Sequence, residues 1–304
     1  VNIVFVVVVV RRDQRGLICA RNGSTLIFYL FTLGALFMMP RFFGSEAQQR
    51  MQGAAYALTP LLQDDPAYGT EGRMWGIDGL ELAEVDKVAS LASLQGATVN
   101  HYVPKSREAQ FARAYAQRGF ANDRWDQFMG RRECLEICSD YIDDFRLPDQ
   151  YKLHHLGPKT PTYILDALAE TAAACGVLPP MTPVLFGQMR KAAYFCLEAP
   201  DGGVAACAGA CLRNHPESRF GDAAWWGMLA TRDQDRGQSL SLYLGALAAL
   251  HMNKAFGVEE FYTGVRTDNA VSRHVCQKLG VRDSEYACLA ILDPSSFGEG
   301  GYTK

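Results

Sequence analysis

Ala223-Ala-Trp-Trp-Gly-Met-Leu-Ala-Thr231, then Arg232-Asp-Gln-Asp-Arg-Gly237, then Gln238-Ser-Leu-Ser-Leu-Tyr-Leu-Gly-Ala-Leu247 is the stretch that decides the fold. The first nine residues, mostly apolar and aromatic, fit a buried strand. The six polar residues fit a tight loop, and the leucine-rich continuation fits a helix. A loop that opens a helix leaves several backbone N–H groups without acceptors, and the helix dipole adds partial positive charge there. The loop mouth therefore suits a phosphate, and Arg236 places a full positive charge beside it.

About thirty residues on, Tyr262-Thr-Gly-Val-Arg-Thr-Asp-Asn-Ala-Val-Ser-Arg-His-Val-Cys-Gln-Lys-Leu-Gly-Val281 repeats the pattern. It predicts a strand, a helix start near Asp268 or Asn269, a short helix and a glycine stop at Gly280. Together the two stretches resemble the Gcn5-related N-acetyltransferase (GNAT) family. That family opens a helix with Arg-Gly-x-Gly-x-Gly/Ala after a strand, and the matching residues are Arg236, Gly237, Gln238, Ser239, Leu240 and Ser241. Its second motif, Asn-x-x-Ser/Ala-x-x-x-Tyr-x-x-x-Gly-Phe, is matched by Asn269, Ser272, Cys276, Gly280 and Val281. Serines at 239 and 241 stand where the family has its later glycines, and Cys276 stands where it has tyrosine.

The resemblance implies an α/β (α+β) GNAT fold, a mixed and mostly antiparallel central sheet flanked by helices. It also implies an acetyl-CoA-dependent N-acyltransferase in which a deprotonated amine attacks the thioester directly within a ternary complex. Acetyl-CoA is then a co-substrate and no metal is needed. Carried onto this chain, Leu229, Ala230 and Thr231 pair with the pantetheine arm, and the Leu229 backbone N–H donates to the developing oxyanion. Arg236, Gly237, Gln238, Ser239, Leu240 and Ser241 hold the pyrophosphate. Asn269 and Ser272 contact the arm from the second helix, and Cys276 occupies the general-acid position. The acceptor is a small-molecule or peptide amine, and the general base is not identified. Ser239, Ser241 and Cys276 together leave a second reading open, a non-catalytic acyl-CoA-binding or interaction module.

Composition narrows the field. A net charge of −3 with no long basic run excludes a sequence-independent nucleic-acid binder, which needs cations to displace phosphate counterions. Nine cysteines without a Cys-x-x-Cys pair fit reduced thiols and ordinary packing in a cytoplasmic protein, not a metal site or a disulfide frame. The apolar run 25–39 is fifteen residues long, shorter than the ~20 a membrane span needs. It reads as buried core or, alternatively, as a membrane tether.

Residues 71–120 predict strand 73–78, helix 80–94, strand 98–103 and helix 107–118. This order repeats in 223–281: Trp75-Gly76 answers Trp226-Gly227, and Tyr115 through Phe120 answers Cys276 through Val281. The earlier copy lacks a counterpart of the phosphate loop, and Tyr115 reads as helix packing. Residues 131–148 predict a connecting helix. Beyond it come strand 151–156, helices 160–176 and 183–191, a hairpin across Ala199-Pro-Asp-Gly-Gly203, and a last strand 284–292. The domain expectation is an apolar segment at 1–45, a degenerate GNAT-like half at 46–147 and a GNAT domain at 148–304. Trp225 and Trp226 alternate across their strand, as do His154 and His155, so only one of each pair reaches a cleft.

Overall fold

Ser45 begins the described structure with a capping box: its hydroxyl accepts from Gln48 N while the Gln48 side chain accepts from Ser45 N. The computed structural model describes residues 39–297. The first half holds α1 (Glu46–Leu62), β1 (Gly69–Thr70), β2 (Trp75–Gly76), α2 (Val85–Gln95), β3 (Ala97–Pro104), α3 (Glu108–Ala116), β4 (Ala121–Gly130) and α4 (Arg132–Asp144). Next come β5 (Lys152–His155), α5 (Thr162–Ala174), α6 (Thr182–Leu185), β6 (Ala192–Glu198) and β7 (Val204–Cys211). The chain then forms β8 (Ala223–Thr231), α7 (Leu240–Phe256), β9 (Glu260–Val265), α8 (Ala270–Lys278), β10 (Arg282–Leu292) and α9 (Pro294–Phe297). The expected apolar run 25–39 lies outside the described residues except for Met39. Among the described residues no helix is long and apolar enough to cross a membrane.

Eight strands form one mixed sheet in the order β3-β10-β4-β9-β8-β7-β6-β5. Every pairing is antiparallel except β8 with β9. The mostly antiparallel α/β sheet expected from sequence is therefore present. Apolar side chains bury both faces. Trp226, Phe261, Phe128 and Leu244 pack toward α7 and α4 on one face. Trp75, Trp225, Tyr194 and Ile164 pack toward α1 and α5 on the other. Trp225 and Trp226 thus take opposite sides. Trp226 donates from Nε1 to Gly245 O at 2.9 Å, and a Cβ at Gly245 would come within 2.7 Å of its ring. Glycine here lets α7 approach the sheet closely.

The order β2-α2-β3-α3-β4 in the first half parallels β8-α7-β9-α8-β10 in the second. The last strands are exchanged between them. β9 pairs with β4 and not with β10, β3 pairs with β10, and β4 and β10 meet antiparallel at the centre. Residues 46–147 and 148–297 consequently share one sheet.

β4 and α1 were not anticipated. β4 reads Ala-Asn-Asp-Arg-Trp-Asp-Gln-Phe-Met-Gly, too polar to signal an interior strand. Its charges are paired instead: Asp126 meets Arg124 and Arg273 at 2.8 Å each and Lys105 at 3.4 Å. Burial alone raises the Asp126 carboxyl, but hydrogen bonds from Arg273 and Arg124 hold it down at about 2. The strand expected at 73–78 is the two-residue β2, and the helix expected at 183–191 is the single turn α6.

Arg213, fully buried, ties the halves together. It donates from Nε to Glu71 at 3.0 Å, from Nη1 to Asp78 at 3.3 Å and from Nη2 to Val99 O at 2.7 Å. Shared strands and a shared buried ion cluster predict one cooperative unit. Chemical denaturation followed by tryptophan fluorescence and by far-UV dichroism is expected to give one coincident transition. Two separated transitions would show halves that unfold independently.

Candidate functional site

β8 and β9 pair only over Ala223, Ala224 and Trp225, and then part. β8 bulges where they separate: Met228 adopts φ +57°, and the register with β7 slips between Gly227 and Ala230. Arg232 N donates to Ala205 O on the β7 side at 2.8 Å. N–H directions alternate along the regular end of the strand, so that of Thr231 faces the open edge toward β9, while Leu229 lies within the bulge. Leu229, Ala230 and Thr231 all line the space between the two strands.

The loop after β8 is braced from below. Arg232 pairs with Asp235 at 2.6 Å and with Asp201 at 2.8 Å. The buried Asp235 also accepts from Tyr151 Oη at 2.8 Å, and Gln238 Nε2 donates to the same hydroxyl at 2.9 Å. Gln238 therefore points down into the brace. Gly237 at φ +80° and Ser239 at φ +60° turn the chain into α7, whose first internal bond is Tyr243 N to Ser239 O at 3.1 Å. The N–H groups of Leu240, Ser241 and Leu242 precede any intrahelical acceptor. A left-handed serine costs about 1–2 kcal/mol relative to a right-handed one, and Ser239 carries that strain. A Cβ added at Gly237 would meet no atom within 4 Å, so the ground above the loop is open. The residues present fit a pyrophosphate. Arg236, 62% exposed, pairs with Asp233 at 2.7 Å and stands free to turn toward an anion.

α8 begins where expected. Asn269 caps it, Oδ1 accepting from Ser272 N at 2.9 Å, and both residues line the cleft. Cys276 lies on the same wall but is 4% exposed, packed in the core shared with Cys134, Leu279 and Val281. Burial pushes its thiol up to about 12, so it holds its proton more tightly than an ordinary thiol.

Between the parted strands a cleft of about 750 Å³ runs from the α7 and α8 helix starts to the opposite face of the sheet. Every residue expected at the site lines this cleft except Gln238. The far end holds groups that the sequence did not indicate: Glu71, Arg73, His101 and Trp125, all from the first half, beside Trp225. Their signal was hidden because they come from three separate segments joined by the strand exchange. The imidazole of His101 is 2% exposed, sits edge-on to Tyr262 at 5.0 Å between ring centres, and among the described residues has no hydrogen-bond partner at either nitrogen. Desolvation pushes it down to about 3; Asp78 opposes the shift, and Arg213 and Arg73 add to it. It is neutral near pH 7 and a weak proton acceptor. His154 is bound to Glu198 at 2.7 Å and His155 stacks on Phe195, so neither serves the cleft. Among the described residues no cluster of metal-ligating side chains occurs.

The His101 pKa has a thermodynamic consequence. The unfolded chain takes up this proton below about pH 6.5 and the folded chain only near 3. Its contribution is therefore complete above 6.5 and declines as pH falls toward 3, by about 1.4 kcal/mol per pH unit. Between pH 6 and 4, denaturation midpoints of His101→Gln are expected to fall less steeply than those of the native chain. Identical slopes would place the acid sensitivity elsewhere.

No protein-family model matches the chain, and no curated protein does. Solved structures similar to it include a tandem GNAT protein from the clavulanic acid biosynthesis pathway. The identity there is 15%, the TM-score is 0.46, and the match covers 69% of this chain and 67% of that one. A GCN5-related N-acetyltransferase from Kribbella flavida is similar at 12% identity and TM-score 0.48, over 84% and 98% of the two chains. A putative acetyltransferase of the GNAT family from Novosphingobium aromaticivorans is similar at 18% identity and TM-score 0.44, over 82% and 98%. These solved structures are GNAT proteins, the family whose two motifs the sequence resembles.

Proposed function

We propose that the chain is an N-acyltransferase that moves the acetyl group of acetyl-CoA to the amine of a second substrate. The observation that carries this reading is the pair of parallel strands that part after three residues, with the open N-terminus of α7 at their mouth. An extended pantetheine arm can add to the exposed edge of β8 as a further strand, engaging main-chain groups of Leu229, Ala230 and Thr231. The pyrophosphate then falls on Gly237, Ser239, Leu240 and Ser241, with Arg236 above it. Asn269 and Ser272 flank the arm from α8.

In the reaction the neutral amine nitrogen attacks the thioester carbonyl carbon. A C–N bond forms as the carbonyl π electrons move to oxygen, and the Leu229 N–H receives that oxyanion. One such preorganised donor is worth about 3–4 kcal/mol. Collapse breaks the C–S bond, releases the coenzyme thiolate and leaves an ammonium proton to be removed. Cys276 is a poor acid for the thiolate because burial raises its pKa above the ~8.5 of an ordinary thiol. We therefore assign protonation of the thiolate to water, which also takes up the ammonium proton, and Cys276 to packing. The strain at Ser239 favours a second reading, an acyl-CoA-binding module without turnover.

Acetyl-CoA at one hundred times its Kd is expected to stabilise the chain by about 2.7 kcal/mol, a rise of several degrees in Tm. Gly237→Glu places a carboxylate in the cradle at φ +80° and is expected to weaken binding at least tenfold by calorimetry. Absence of any acetyl-CoA binding by the native chain would defeat both readings. Binding without coenzyme thiol release across an amine panel would favour the second. Cys276→Ala is expected to keep its rate within a few-fold of the native chain, whereas a loss of 10²-fold or more would restore the general-acid role.

A further inference from the structure

Buried charges in proteins are normally paired, because leaving water is costly unless an opposite charge or several hydrogen bonds compensate. The far end of the cleft breaks this rule at one residue. Arg73 is 7% exposed, and among the described residues no carboxylate lies within ion-pair distance of it. Its Nε donates to Leu178 O at 2.6 Å and its guanidinium covers the Trp225 ring at 4.7 Å. Its two terminal nitrogens find no acceptor among the described residues, although Arg73 lines the cleft.

Close by stands a complementary imbalance. Arg213 engages two carboxylates at once, Glu71 and Asp78, so that buried cluster carries one net negative charge. Glu71 uses Oε2 for Arg213, and no described residue bonds its other oxygen, although Glu71 lines the cleft. The far end is thus a fixed charge pair, negative at Glu71 and positive at Arg73, enclosed by buried walls. A planar guanidinium with two free donors matches a carboxylate bidentately. A monoamine satisfies only half of this site, and a dianionic group would crowd the Glu71 oxygen.

We infer that the acceptor is a small amine that also carries a carboxylate, an amino-acid-like molecule, held by Arg73 at its carboxylate and steered by Glu71 at its nitrogen. The inference rests on the acyltransfer reading for turnover, but the anion subsite can be tested by binding alone. It assigns the first half a role in substrate choice, since Glu71 and Arg73 precede every residue of the coenzyme cradle.

The test uses the full chain and matched sets of three: a free amino acid, its carboxamide and the decarboxylated amine. Coenzyme thiol release and melting shifts are read for each, with acetyl-CoA affinity measured separately. The native chain is expected to show KM at least thirtyfold lower for the amino acid of a preferred set than for its two partners. Arg73→Met is expected to erase that ratio with acetyl-CoA affinity unchanged, and Arg73→Lys to restore part of it. If Arg73→Met fails to fold, the native ratios and the lysine variant decide the matter. Equal use of carboxamide or decarboxylated amine, or an unchanged ratio in Arg73→Met, overturns the inference. If acetyl-CoA does not bind at all, the acyltransfer reading fails. The subsite then stands or falls on whether amino acids raise the melting temperature of the native chain and not of Arg73→Met.

Discussion

Arg213 holds the molecule together at its most demanding point. A guanidinium with no contact to water is tolerable only if its donors are used, and here one side chain reaches two carboxylates and a main-chain carbonyl. All three partners belong to the first half, whereas Arg213 follows β7 of the second. Removing one member of such a cluster typically costs 3–5 kcal/mol, because the others stay buried and unpaired. The same cluster backs the far end of the cleft, so the geometry of the site and the union of the halves rest on one set of bonds.

The two halves treat the same strand arrangement differently. In the second half β8 and β9 diverge and leave main-chain donors facing open space. In the first half the segment from Trp75 to Gly79 runs beside β3 in the same direction, but the chain's own side chains fill the gap. Thr98 Oγ1 donates to Trp75 O at 2.8 Å, Ile77 N donates to Asn100 Oδ1 at 3.0 Å, and Gln95 brackets Trp75 at both N–H and C=O. Those groups take the places that a ligand strand would need. Between Asp78 and Val85 there is no loop like that of residues 231–238, and this self-bridging closes the gap between the two strands.

The helix-mouth side of the cleft was legible because its chemistry is local. A strand, a polar turn and a helix start are contiguous, so the loop at Arg236 to Ser241 and the cap at Asn269 could be placed from residue order. Trp225 and Trp226 took opposite faces because strand alternation requires it. The far end was illegible for the opposite reason. Glu71, Arg73, His101 and Trp125 meet only through pairings between strands far apart in the chain, and β4, which carries Trp125, hides among charged residues that are neutralised by partners up to about 150 positions away. Cys276 could be located but not weighed, since its acidity depends on how much water reaches it.

The strand exchange also constrains how the chain can come into being. β3 has one neighbour in the large sheet, β10, and β4 has only β9 and β10. During synthesis both strands leave the ribosome well over a hundred residues ahead of their partners, with edges that could template the wrong pairing. The β5-β6-β7 meander can assemble as it emerges, whereas the earlier strands wait for β9 and β10. Nascent chains cut short before β9 should therefore depend on chaperones that shield unpaired edges.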